Sequence, residues 1–212
     1  MTNSPAAPVT DVIFDFCGVL LDWQVRACLT GHYPDELVAR ICADDDPCGF
    51  FRYEDRMDAG EDLRDIMPDV RREQGDKIAD VFAYYIAHYD DALPRMNPGM
   101  EALLEDLVRA GYGTWGLTNW SHETFPLVYR KFPRIERLLR GTVVSGVEKM
   151  HKPNADIYEL ALSRFGLEAG RCAFIDDTAR NVAGADAVGI HGLLFEDAPS
   201  TREQLAALGV RL

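Results

Sequence analysis

The 212-residue chain has no apolar run approaching the roughly 18 residues that a membrane span needs, so no part of it reads as a transmembrane helix. Positive charge is scarce: 22 lysines and arginines stand against 35 aspartates and glutamates, a net charge of −13 at pH 7. This balance argues against nucleic acid or an anionic membrane as a partner, and it repels a phosphorylated substrate at long range. An anionic ligand therefore needs a local cation. Paired cysteines are missing too. The five present, at positions 17, 28, 42, 48 and 172, form an odd set with no Cys-x-x-Cys and no matching histidine spacing. Neither a zinc site nor a disulfide framework is indicated, and reduced thiols in a cytoplasmic protein are expected. The first ten residues lack the basic and apolar regions of a secretory signal, so residues 1–10 are expected to form a flexible tail.

What is present is an ordinary globular composition in a chain long enough to bury roughly 70% of its unfolded surface. The stretch from Asp11 to Trp23 organises the reading. A short apolar run, Val12 to Phe14, ends on Asp15 and is followed by Gly18, the pattern of a buried parallel strand stopping at a turn. Asp15 then sits at the carboxyl end of a strand, where open α/β sheets bind their ligands. Taken alone, the same aspartate also reads as a turn cap.

From Trp23 the pattern becomes helical. Helices are expected over Pro34–Ile41, Pro47–Met57, Glu61–Gln74 and Lys77–Ala92. The last carries an aromatic stripe, Phe82, Tyr85 and Tyr89 among Ile78, Val81 and Ile86, that suits either a core or a substrate-facing wall. Trp23, Phe50, Phe51, Tyr53, Tyr84 and Tyr85 are candidates for such a wall. From Asn97 strands and helices alternate. Met100, Leu103, Leu104, Leu107 and Val108 mark one helix face, ended by Gly111. Strands follow at residues 113–117, 141–144, 172–175 and 190–195, with a helix after Asn154, a candidate N-cap, and another over Ala179–Ala187. Five short strands separated by helices predict an α/β fold, a doubly wound, Rossmann-like parallel five-stranded sheet. The expected organisation is a core of residues 11–22 and 95–212 with a helical cap, residues 23–94, inserted between.

The strand ends gather Asp15, Thr118, the Lys152 loop and Asp176-Asp177 at one edge. Carboxylates crowded there repel one another unless a cation sits among them, and hard oxygen ligands without histidine or cysteine point to Mg2+. Lys152 adds a fixed positive charge, and Thr118 a hydroxyl and a backbone N–H, suited to the oxygens of a phosphoryl group. Asp15 is left as a covalent nucleophile.

These residues resemble the haloacid dehalogenase-like hydrolase superfamily across nearly the whole chain. Phe14-Asp15-Phe16-Cys17-Gly18-Val19-Leu20 is similar to its first motif, Leu117-Thr118-Asn119 to its second, Lys152-Pro153 to its third, and Phe174-Ile175-Asp176-Asp177 with Asn181 to its fourth. The helical segment between the first two motifs resembles the small cap of the subfamily that includes 2-haloacid dehalogenases and sugar-phosphate phosphatases. The resemblance implies that Asp15 is nucleophile and metal ligand, and that the Cys17 carbonyl and Asp177 complete the protein's share of the magnesium shell. It further implies Asp176 beside the metal, Asn181 steadying that loop, Thr118 and Asn119 holding phosphoryl oxygens, and Lys152 bridging nucleophile and phosphate. Asn119 also reads as a turn residue, and Asn181 as a polar group on a helix side.

One position departs from the pattern. Most phosphatases of this superfamily carry a second aspartate two residues after the nucleophile, as general acid and base; here that residue is Cys17. Losing such a catalyst costs about 10²- to 10⁴-fold in rate. Some capped relatives also have a small non-acidic residue there. The expected function is thus a magnesium-dependent phosphatase acting on a small phosphorylated metabolite such as a sugar phosphate. The alternatives are a 2-haloacid dehalogenase-type hydrolase and a catalytically weakened binding protein. His122 and His151, beside the second and third motifs, read either as substrate contacts or as solvated side chains.

Overall fold

A computed structural model describes residues 8–212. Of the expected tail, residues 1–7 lie outside the described residues. Val9 is buried and the Thr10 N–H donates to the Arg171 carbonyl at 2.9 Å, so the chain is packed before the first strand begins.

Strand β1 (Asp11–Phe14) is the centre of a five-stranded sheet. Val12, Ile13 and Phe14 have no exposed surface, as expected of a parallel strand covered on both faces. The pleat sends Val12 and Phe14 into one apolar cluster and Ile13 into the other. Beyond Phe14 the chain turns into a two-residue strand, β2 (Leu21–Asp22), and enters the helical segment. Its helices are α1 (Val25–Leu29), α2 (Asp35–Ile41), α3 (Phe50–Asp58), α4 (Leu63–Gln74) and α5 (Asp76–Ala87). The stretch expected to form one helix to Ala92 breaks at His88, and Tyr89–Ala92 tightens into a 3₁₀ turn. Helix α3 starts later than Pro47 because the Asp46 carboxylate accepts the N–H groups of Phe50 and Arg52, at 2.6 and 3.1 Å. Strand β3 (Arg95–Met96) then pairs antiparallel with β2, reinforced by an Asp22–Arg95 ion pair of 2.7 Å. This small ribbon ties the two ends of the helical segment together. Two-residue strands carry no periodicity, and neither was foreseen.

The remainder alternates: α6 (Met100–Arg109), β4 (Gly113–Thr118), α7 (Phe125–Lys131), α8 (Pro133–Leu138), β5 (Thr142–Val144), α9 (Ser145–Glu148), α10 (Ala155–Phe165), β6 (Cys172–Asp176), α11 (Ala179–Ala187), β7 (His191–Leu194) and α12 (Ala198–Ala207). The parallel order is β5-β4-β1-β6-β7, the doubly wound arrangement expected. Two local expectations fail. Val108 is 43% exposed, off the buried face that Met100, Leu103, Leu104 and Leu107 form. Asn154 occupies the N-cap position of α10, but its side chain makes no capping hydrogen bond. Among the described residues no helix is long and apolar enough to cross a membrane.

Candidate active site

Because β1, β4 and β6 run parallel, their carboxyl ends meet at one edge, and Asp15, Thr118 and Asp176 arrive there together. The Asp15 N–H still donates to Ile175 at 2.9 Å, so the sheet ladder fixes the backbone that carries this carboxylate. Lys152 enters from the loop before α10. Its Nζ lies 2.9 Å from Asp15 Oδ1 and 2.6 Å from Asp176 Oδ2, and the residue is 1% exposed. Asp176 is held from the other side: Asn181 Nδ2 donates to both carboxylate oxygens at 3.1 Å, and the Thr178 N–H donates at 2.8 Å. Asp15, Asp176 and Asp177 offer ligand oxygens within 4.8 Å of one another.

The electrostatics follow from this crowding. Asp15 is raised to about 7, with burial the largest cause, Lys152 opposing it and Asp176 adding to it. Burial alone would depress Lys152, but Asp15 and Asp176 hold it above its ordinary value. Burial and then Asp176 raise Asp177. The Cys17 thiol is pushed well up by burial and by the surrounding acids, Asp15, Glu54, Asp58 and Asp177.

The loop after Asp15 is built for close approach. Gly18 has φ +79°, and a Cβ there would lie 2.0 Å from Asp177 Oδ2, so the carboxylate packs directly on the glycine backbone. Asn97 clamps this loop, its Nδ2 donating to the Gly18 and Val19 carbonyls at 2.8 and 2.9 Å. Sequence reasoning missed Asn97, which in Asn97-Pro98-Gly99 reads only as a turn.

Thr118 and Asn119, expected to hold phosphoryl oxygens, lie at the carboxyl end of β4 and just beyond it. Asn119 uses its amide on the Lys152 backbone, accepting from the Lys152 N–H at 2.9 Å and donating to its carbonyl at 3.1 Å. It braces the lysine loop. Thr118 is fully buried, with Oγ1 3.4 Å from the Asn119 carbonyl.

Above the carboxylates lies a cleft of about 450 Å³, closed on its far side by the helical segment. Trp23, Phe51 and Tyr89 line it, whereas Phe50, Tyr53 and Tyr85 are buried in the helical core and Tyr84 stacks on His88, 4.0 Å between ring centroids. Helix α3 also contributes Glu54, Asp55 and Asp58 to the cleft, a cluster the sequence reading did not single out. Glu54 is buried and accepts the Tyr85 hydroxyl at 2.7 Å, and Tyr85 in turn accepts Trp23 Nε1 at 3.1 Å. Glu54 is raised to about 7, with burial the largest cause and outweighing the hydrogen bonds from Tyr85 and Tyr89. Asp58 is raised by burial and then by Glu54, Asp55 and Asp15. A signal existed: in Phe50, Glu54 and Met57, spaced i, i+4 and i+7, an acid stands in an otherwise apolar stripe. The two histidines join helical segment to core, His151 Nε2 at 3.2 Å from Asp55 and His122 Nε2 at 3.3 Å from Asp62.

Residues 12–189 match the family described as haloacid dehalogenase-like hydrolase. The chain belongs to this family. It is 30% identical over 117 residues to a chloroplast flavin mononucleotide hydrolase of Arabidopsis thaliana, covering 54% of this chain and 46% of that protein. It is 32% identical over 114 residues to a sesquiterpene phosphatase of Aspergillus oryzae, covering 54% of this chain and 58% of that protein. The chain thus spans about half the length of these curated relatives. Among solved structures, a HAD family enzyme of Bacteroides thetaiotaomicron, crystallised as an Asp-to-Ala mutant with magnesium and inorganic phosphate, superposes with a TM-score of 0.69. At 18% identity, covering 89% of this chain and 95% of that one, it bears out the fold. The four segments that resemble family motifs lie on the strand ends and loops described above.

Proposed function

We propose that this chain is a magnesium-dependent phosphatase that hydrolyses a small phosphorylated metabolite, a sugar phosphate being the expected class, through a phospho-aspartate on Asp15. The observation that carries this reading is the buried charge cluster in which one ammonium, Lys152, faces Asp15 and Asp176 while Asp177 completes a group of three carboxylates. That cluster is left with net negative charge and offers only oxygen donors, which suits a hard divalent cation. Asp15 Oδ1 is buried without a well-formed hydrogen bond, and Gly18 leaves the space in which Asp177 approaches the loop. In this reading Asp15, Asp177 and the Cys17 carbonyl hold Mg2+, with Asp176 beside it and Asn181 steadying the loop. When bound, the ion offsets the acid cluster and draws charge from the phosphoryl oxygens.

The chain's own residues do the rest. Asp15 attacks phosphorus as the bond to the leaving oxygen breaks, and water then hydrolyses the acyl phosphate. Lys152 holds the equatorial charge and orients Asp15. Thr118 and the Asn119 backbone serve the phosphoryl oxygens, while the Asn119 amide keeps the Lys152 loop in register. Cleft size and lining favour a small ring or polyol, with aromatic faces from Trp23 and Phe51 and acceptors from α3 for hydroxyl groups. Two of the curated relatives are named as a flavin mononucleotide hydrolase and a sesquiterpene phosphatase, which supports a small phosphorylated substrate. All five cysteines are unpaired, which accords with a reducing compartment such as the cytoplasm.

Release of inorganic phosphate from a panel of small phosphate esters, with Mg2+ and with a chelator, tests the reading. Turnover that chelation abolishes and that Asp15→Asn removes is expected. Turnover indifferent to chelation, or halide release from 2-chloropropionate in its place, overturns it.

A further inference from the structure

A phosphate ester with a poor leaving group needs a proton on the departing oxygen, and the loop after Asp15 offers only a thiol where the acid is expected. The same cleft has a carboxyl group on its opposite wall. We propose that Glu54, carried by the helical segment, is the general acid that protonates the leaving oxygen and then the base that activates water. This rests on the phosphatase reading.

The geometry sets Glu54 apart from its neighbours. Asp55 is exposed and engaged by His151 at 3.2 Å. Asp58 lines the same cleft, but its carboxylate is engaged by the Ser121 backbone N–H and not by a side-chain hydroxyl. Glu54 is 7% exposed, lines the cleft, and is the α3 acid whose carboxylate is fixed by a hydroxyl, Tyr85 Oη at 2.7 Å, itself anchored by Trp23. A general acid needs such a fixed orientation within reach of the reacting group. A buried glutamate on an apolar stripe is otherwise a cost that the fold would avoid. Its carboxyl, raised to about 7 by burial against the pull of Tyr85 and Tyr89, has the proton affinity that acid–base work near neutrality requires.

The step balances. Asp15 forms a bond to phosphorus, the bond from phosphorus to the substrate oxygen breaks, and that oxygen takes the Glu54 proton and leaves as an alcohol. Water then attacks the phospho-aspartate and gives a proton to the Glu54 carboxylate as the aspartyl–phosphorus bond breaks. Inorganic phosphate leaves, and Asp15 and Glu54 return to their starting states.

The test compares Glu54→Gln with the unaltered protein, with Mg2+, on alkyl phosphates and on 4-nitrophenyl phosphate, whose leaving group needs far less protonation. Glu54→Gln is expected to lower kcat/KM for the alkyl esters by about 10²-fold or more. The loss on the nitrophenyl ester should be much smaller, so that kcat/KM depends more steeply on leaving-group pKa. Tyr85→Phe keeps the acid without its anchor, and should show the same leaving-group-dependent loss to a smaller extent. This variant stands in where Glu54→Gln does not fold. Equal losses on both ester types, or a leaving-group-dependent loss in Asp58→Asn but not in Glu54→Gln, overturn the role of Glu54 and leave the phosphatase reading intact. An unaltered protein that hydrolyses neither ester overturns both.

Discussion

Replacing Lys152 by Met is the perturbation most directly read from the structure. Methionine keeps the length of the stem and its packing, so the change is mainly the loss of a buried ammonium lying 2.9 Å from Asp15 and 2.6 Å from Asp176. Both carboxylates are themselves buried, at 6% and 0% exposure, so bulk water compensates little of the lost charge. Removing one partner of a buried ion pair costs about 3–5 kcal/mol, because an uncompensated charge remains. For a chain of this length each kcal/mol shifts Tm by about 2–4 °C, so Lys152→Met should melt about 6–20 °C lower at neutral pH. The sign of the pH dependence follows from Asp15. Burial already places it at about 7 with the lysine present, and loss of a cation moves it higher. A carboxyl whose folded pKa exceeds its unfolded value stabilises the fold at low pH and loses that contribution as pH rises through the folded pKa. The deficit of Lys152→Met relative to the unaltered protein should therefore be smaller at pH 5 than at pH 8. Thermal unfolding followed by circular dichroism at both pH values, in chelator, measures it. A deficit that is the same at both pH values, or below about 1 kcal/mol, would refute the claim that Lys152 is balanced against ionised carboxylates.

Two further substitutions probe the loop after Asp15. Gly18→Ala puts a Cβ on the Asp177 carboxylate in a φ +79° backbone, and should cost about 1–3 kcal/mol of stability while weakening Mg2+ binding at least tenfold by calorimetry. A variant that binds Mg2+ like the parent would remove Asp177 from the proposed shell. Cys17→Ala should leave kcat/KM within about threefold, since an elevated thiol is a poor proton donor and a worse base at neutral pH; a hundredfold loss would give the thiol a chemical role. Asn119→Ala removes both hydrogen bonds to the Lys152 backbone, and should lower kcat more than it raises KM because the lysine loop loosens. A change in KM alone would mean that the amide touches substrate instead.

The centre of the sheet was legible because β1 and β6 are local apolar runs ending at a turn, and burial on both faces makes such runs conspicuous. Val12-Ile13-Phe14 and Ala173-Phe174-Ile175 needed no knowledge of partners. What escaped was whatever depends on distant neighbours. The β2–β3 ribbon consists of two residues per strand and exists because the entry and exit of the helical segment meet. Helix α12 went unread because its buried residues, Ala198, Thr201 and Leu205, are too few and too mixed to draw an apolar face; its start is set by Asp197 accepting the Ser200 N–H at 2.8 Å.

The same division runs through the site. Asp15, Lys152 and the Asp176-Asp177 pair were readable because each stands at a strand end or in an adjoining loop, where a charged residue has no reason to follow a buried run unless something compensates it. Asn119 was located, but the contact its amide makes with the Lys152 backbone, between residues 33 apart, is one that no local pattern encodes. Glu54 shows the limit more sharply. Within Tyr53-Glu54-Asp55-Arg56-Met57-Asp58 the acids look like one solvated helix face, yet 3.6-residue geometry turns Glu54 toward Phe50 and Met57 while Asp55 stays exposed. Only the docking of α3 over the sheet edge makes that buried acid face the nucleophile's cleft, so a chain whose first motif lacks its acid can still bring one in from the opposite wall.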